Sequence, residues 1–91
     1  LQMPIVTLQT SQFGYNDERY WQVTVDVSNN IPQLIDAEVQ CTFTNGGRPV
    51  KDAYFTATAI QPGEHVMSEV LGPATTTFVD GVTCRVLNPI R

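Results

Sequence analysis

The sequence predicts an all-β chain, an immunoglobulin- or fibronectin-III-like antiparallel β-sandwich of six or seven strands. Three observations carry that expectation. Apolar residues recur with a period of two in several short runs, so each run has one apolar and one polar face. Turn-forming residues separate these runs every eight to fourteen positions. No stretch sustains a period of 3.6 for long enough to make a helix. A small barrel is the second architecture that such a pattern allows.

Taken in order, residues 1–3 read as linker, and Pro4 suits the first position of a strand. Ile5 to Phe13 is a weak strand with Val6 and Leu8 on one parity, and Gly14 to Arg19 is a polar loop. Tyr20 to Ser28 is the clearest strand. It sets Trp21, Val23, Val25 and Val27 against Gln22, Thr24, Asp26 and Ser28. Trp21, the single tryptophan, is read as core filler, with an exposed contact as its other role. Ser28 to Pro32 is a turn, because proline breaks a ladder and asparagine tolerates positive φ.

Leu34 to Thr44 organises the chain. Ile35, Ala37, Val39, Cys41 and Phe43 share one face, and Asn45-Gly46-Gly47 then supplies a tight reversal. Arg48 to Ile60 returns antiparallel, with Ala53, Phe55, Ala57 and Ala59 on one parity. Gln61-Pro62-Gly63-Glu64 has the residues of a type II turn. Glu64 to Leu71 is a further strand, with Val66 and Val70 opposed to Met67, Glu69 and Leu71, and Gly72-Pro73 should end it. From Thr75 onward two readings stand. One is a hairpin on Asp80-Gly81; the other is a loop up to Val79 and one final strand to Leu87. The second is preferred, since connections between sandwich sheets are often irregular. Asn88-Pro89 closes the domain.

The two cysteines, Cys41 and Cys84, both fall on inward parity, and the expectation is a disulfide between them. Paired reduced thiols packed as small apolar residues are the alternative. A bridge would close 43 residues, worth about 4 kcal/mol by unfolded-state entropy. It also implies an extracytoplasmic setting: secreted, periplasmic or cell envelope. The chain then reads as a processed protein or as one domain, residues 1–91, cut from a longer one.

Composition narrows the function classes. The net charge is −4, and the five basic residues (Arg19, Arg48, Lys51, Arg85, Arg91) are scattered, which argues against nucleic acid as a partner. No apolar run approaches the roughly 20 residues of a spanning helix, so membrane insertion is not expected.

Three stretches resemble the bacterial FxLYD-type and related immunoglobulin-like envelope domains, across about residues 20–70. Val25-Asp26-Val27-Ser28-Asn29-Asn30 is similar to their strand ending in an asparagine turn. Glu38 to Gly47 resembles the strand and turn that name the family, with Cys41, Phe43, Thr44 and Asn45 at the naming positions. Ile60-Gln61-Pro62-Gly63-Glu64 is similar to their proline-glycine turn. The resemblance implies an envelope or secreted module with no catalytic residues to carry over.

A Cys–His nucleophile would pair Cys41 or Cys84 with His65, but buried apolar thiols are inert. A Ser68–His65–Asp52 trio can be drawn, as in any chain of this size, without a Gly-x-Ser-x-Gly elbow. Cysteine and histidine are too few for structural zinc. Asp17, Glu18, Asp36, Glu38, Asp52 and Asp80 lack the dense spacing of calcium loops and read as solvated acids. Asp36 and Glu38 share a strand face as a conceivable carboxylate pair, without room for a deep cleft.

The expectation is therefore a non-enzymatic module, without cofactor or metal, that binds a protein partner or neighbouring domains of its own chain. Tyr20, Tyr54, Met67 and Leu71, on outward parity, are the expected contact surface. The alternative is a carbohydrate- or small-ligand-binding module using Trp21, Tyr15, Tyr20 and Tyr54 as stacking rings.

Overall fold

The computed structural model describes residues 5–88, and all of its regular structure is β. The expectations for residues 1–3, Pro4 and Pro89 onward lie outside the described residues. Six strands follow in order: β1 (Val6–Tyr15), β2 (Tyr20–Asn29), β3 (Ile35–Asn45), β4 (Arg48–Ile60), β5 (His65–Ala74) and β6 (Gly81–Asn88). They form two antiparallel three-stranded sheets, ordered β1-β2-β5 and β4-β3-β6. The chain changes sheet after β2, β4 and β5, and β1 packs over β6 while β5 packs over β4. The predicted β-sandwich is the fold observed.

The alternating faces meet in the middle. Val23, Val25 and Val27 of β2 oppose Ala37, Val39, Cys41 and Phe43 of β3, all essentially solvent-free. Val6, Ala57, Ile60, Val70 and Val79 complete the core. Each fully buried Val, Ile or Phe contributes roughly 1.5–3 kcal/mol by leaving water. The β3–β4 turn has Gly46 at φ 60° and Gly47 at φ 82°, the paired positive angles of a type I′ hairpin. At the next reversal Gly63 has φ 78° and Glu64 N donates to Gln61 O at 2.9 Å, the type II turn that Pro62-Gly63 predicts.

Three details depart from the simple pattern. In β4, Ala59 adopts φ 53° where the β3 pairing slips between Ile35 and Ala37. One residue is inserted there, so Ala59 is exposed and Ile60 turns fully inward, reversing the predicted parity. Strand β5 runs through Gly72-Pro73 to Ala74. Proline is tolerated because β5 is an edge strand. Gly72 is needed because a Cβ there would lie 2.8 Å from the Phe43 ring. Strand β1 continues past Phe13 to Tyr15 by way of a bulge, with Gln12 at φ 53°. The tail follows the preferred reading, a loop to Val79 and one final strand, and Asp80-Gly81 makes no hairpin. Residues 75–80 are a connection between sheets that buries Val79, and Asp80 Oδ2 accepts Gly46 N at 2.9 Å.

Cys41 and Cys84 sit directly opposite each other in the β3–β6 register and are joined as a disulfide, with Cα atoms 4.0 Å apart. Cys41 is buried and Cys84 half-buried. Disulfides of this kind form and persist in oxidising surroundings outside the cytosol.

Asn29 fastens the two sheets at one end. It is 1% exposed, and its Nδ2 donates to Ile60 O (2.8 Å) at the end of β4 and to Gln33 O (2.7 Å). Its Oδ1 accepts Ile31 N at 3.0 Å. Its backbone N–H donates to Glu64 O, and its carbonyl accepts Gly63 N, both at 3.0 Å. The asparagine turn of the sequence is therefore also a cross-sheet clamp.

Candidate functional site

At the opposite end of β2 from Asn29, the inward row Val23, Val25, Val27 continues to Trp21, which packs against the core but stays half-exposed. Three rings surround it. Phe13, re-aimed by the β1 bulge, stacks on it with centroids 5.6 Å apart and planes 14° from parallel. Tyr15 meets it edge-on at 5.8 Å, and Phe78 does the same at 6.4 Å. The indole Nε1–H donates to Thr77 O at 2.8 Å, holding the β5–β6 connection that carries Phe78. Offset-stacked and edge-to-face rings at these separations attract beyond their buried area, by about 0.5–1.5 kcal/mol per pair.

The neighbouring β1–β2 loop is tied by its own hydrogen bonds. Asn16 Oδ1 accepts Glu18 N (2.9 Å) and Tyr20 N (3.0 Å), and Asn16 O accepts Arg19 N (3.0 Å). Arg19 takes φ 67°, and its carbonyl accepts Thr75 N at 2.9 Å. Tyr15, Arg19, Trp21 and Thr75 thus line an open cleft of about 350 Å³. Tyr15 is 71% and Phe78 60% exposed, so the cluster presents apolar ring surface to solvent on a fixed frame. A second open cleft of about 380 Å³ lies between the 29–32 and 62–63 turns at the Asn29 end.

The predicted contact surface is placed differently. Tyr20, Tyr54, Met67 and Leu71 are all exposed. Tyr20, Met67 and Leu71 belong to the β1-β2-β5 sheet, whereas Tyr54 lies on β4 in the other sheet, where its hydroxyl accepts Gln40 Nε2 at 3.0 Å. The four do not form one patch. Of the four stacking rings proposed for a ligand, Tyr15 and Trp21 are brought together. Phe13 and Phe78, which complete the cluster, are not legible in the sequence, because a bulge and an irregular loop place them and neither has a periodic signature.

The drawn catalytic sets are not assembled. His65 Nδ1 lies 3.3 Å from Asp26 Oδ1 on the neighbouring strand, an exposed pair worth little to stability. Ser68 Oγ donates to Glu69 O, and Asp52, in the other sheet, accepts the Thr42 hydroxyl at 2.7 Å. Both cysteine sulphurs are in the disulfide, so neither is a thiolate. Asp36 Oδ1 accepts Ala59 N at 2.8 Å and supports the β4 bulge. Among the described residues no three His, Cys, Asp or Glu side chains converge as metal ligands. Among the same residues no helix is long and apolar enough to cross a membrane.

Compared with protein-family models, curated proteins and solved structures, the chain matches none of them.

Proposed function

We propose that this is a non-enzymatic extracytoplasmic β-sandwich module for protein–protein interaction or structural spacing. The observation that carries the reading is the ring cluster at one end of the sandwich. Tyr15 and Phe78 stand in solvent around Trp21, held by strand ends and by the Trp21–Thr77 hydrogen bond. Aromatic surface kept exposed on a rigid frame is the usual anchor of a protein contact. The disulfide favours a secreted, periplasmic or cell-envelope setting, and the resemblance to FxLYD-type envelope domains points the same way. A protein, or a neighbouring domain of the same chain, is the partner; nucleic acid is not, for want of any basic cluster.

A photo-crosslinking amino acid at position 15 or 78, introduced in the native host, tests this, with position 51 on β4 as control. The expected result is a discrete protein or interdomain crosslink from positions 15 and 78 and none from 51. Absence of crosslinks at both ring positions counts against the reading, and two titratable thiols in protein from its native source count against the compartment.

The cleft beside Tyr15 and Arg19 favours a second reading, a carbohydrate or small-ligand module. It is weakened because the rings around Trp21 occupy much of the surface a sugar would stack on. Saturable change of Trp21 emission with sugars, absent after Tyr15→Ala, would establish it.

A further inference from the structure

The reversal between β3 and β4 carries a chemistry of its own. Asn45-Gly46 is the one place in the sequence where glycine follows asparagine. The side-chain amide of an asparagine can be attacked by the backbone nitrogen that follows it. Glycine, with no Cβ, obstructs that approach least. Asn88 precedes proline, which has no N–H, and Asn16, Asn29 and Asn30 precede residues with side chains.

The structure leaves the electrophile open and ties the nucleophile. Asn45, Gly46 and Gly47 are exposed. Among the described residues no hydrogen bond holds the Asn45 side chain. Gly46 lies in the turn at φ 60°, outside the β3–β4 ladder, so the neighbouring strand does not engage its N–H. That N–H donates instead to Asp80 Oδ2 at 2.9 Å, 34 residues along the chain. Asp80 is itself held in place. Its own N–H donates to Thr44 O at 2.9 Å, and the preceding Val79 is buried. The carboxylate thus reaches the turn from the β5–β6 connection.

We propose that Asn45 is a site of spontaneous deamidation, and that Asp80 holds it unreacted in the folded domain. In the reaction, base removes the proton from Gly46 N, and that nitrogen bonds to Asn45 Cγ. The Cγ–Nδ2 bond breaks, and the leaving nitrogen takes up a proton and departs as ammonia. Water then adds to either carbonyl of the resulting succinimide and opens the ring, giving aspartate or isoaspartate at position 45. Water is consumed and ammonia released, and nothing is oxidised or reduced.

The Asp80 bond opposes this in two ways. A proton donated to a carboxylate is harder to remove, and the amide anion left behind would face that negative charge. Ring closure also requires the Asn45–Gly46 peptide plane to turn until Gly46 N reaches Cγ. Asn45 ends β3, and an extended residue holds its Cβ and the following nitrogen well apart. The bond to Asp80 pins the plane in that orientation. Either product places a negative charge on the residue before Gly46, which repels Asp80 and loosens its hold on the turn. Isoaspartate in addition lengthens the main chain by a methylene.

Ageing wild type and Asp80→Ala at neutral pH, both with the disulfide intact, provides the test. Mass-spectrometric sequencing of peptides follows conversion at Asn45. The expected result is slow conversion in wild type and about tenfold faster conversion in Asp80→Ala, the weight of one charge-assisted hydrogen bond. In denaturing urea both chains should react fast and at one rate, because the bond exists only in the fold. Asp80 is exposed, so alanine there leaves the core intact. Wild type brought to the variant's stability by sub-denaturing urea should stay slow, which separates loss of the bond from general loosening. Hydrogen exchange by NMR reads the same bond without a variant, since exchange and ring closure both begin with loss of the Gly46 amide proton. That amide should be protected in folded wild type despite its exposed turn. Equal conversion of the two folded chains overturns the proposal. So does wild type that reacts as fast folded as unfolded, or a difference between the chains that persists in denaturing urea. A Gly46 amide that exchanges like an open turn, or conversion at another asparagine instead, overturns it equally.

Discussion

Replacing Asn29 with alanine should destabilise this domain strongly, because its buried side chain ties the end of β2 to the end of β4. The side chain makes three hydrogen bonds, to Ile31 N, Gln33 O and Ile60 O, between 2.7 and 3.0 Å. Truncation lets water reach the groups at 31 and 33, at a net loss of about 0.5–1.5 kcal/mol for each bond. The Ile60 carbonyl belongs to a residue of 0% exposure and would be left without its donor, a penalty of about 1–3 kcal/mol. The sum is about 4 kcal/mol, a large part of the 5–15 kcal/mol typical of a domain. For a chain of this length the melting temperature should fall by roughly 15–30 °C. Urea unfolding with the disulfide intact, monitored by Trp21 emission, should show a lower midpoint at unchanged slope. Asn29→Asp sharpens the test. The introduced carboxyl faces two carbonyls in a buried site, so its folded-state pKa is raised above the unfolded value near 3.9. Stability is then retained below that value and lost as pH rises through the folded-state pKa. A loss under about 1 kcal/mol for Asn29→Ala, or an Asn29→Asp variant no more stable in acid than at neutrality relative to wild type, would refute the clamp.

Three further outcomes follow from the same geometry. Cys41→Ala with Cys84→Ala should cost about 4 kcal/mol for the 43-residue separation, read as a lower urea midpoint and a larger slope from a less restricted unfolded chain; an unchanged midpoint contradicts it. Gly72→Ala should lose about 1–3 kcal/mol, because its Cβ would press on the buried Phe43 ring at 2.8 Å, and thermal melts at the wild-type value would show that the ring moves aside freely. Ala59→Gly should gain up to about 1 kcal/mol by relieving the positive φ of 53°, whereas a loss would mean that the alanine methyl matters more than the backbone.

Much of the fold was legible because it rests on local rules. The alternation in Ala37 to Phe43 survives unchanged and that in Val23 to Val27 holds apart from Thr24, which is buried on the other face, since a one-residue slip would have put valines in water and acids in the core. Pro62-Gly63 and Gly46-Gly47 specify their turns through φ alone. The disulfide is legible because both cysteines lie on inward parity. The candidate site was legible only in part. The sequence marks Trp21 and Tyr15 as stacking rings for a ligand, whereas the expected patch of Tyr20, Tyr54, Met67 and Leu71 is split between two sheets.

By itself the sequence determined the faces of the central strands and bounded the strand number at six or seven, because side-chain parity and turn chemistry act over a few residues. The tertiary structure alone decided where that parity breaks. The bulges at Gln12 and Ala59 each insert one residue, re-aiming Phe13 toward Trp21 and turning Ile60 into the core. Asn29 likewise became a clamp only when the end of β4, 31 residues away, came within its reach. Such contacts depend on how two sheets lie against each other, and no local run of residues encodes that distance.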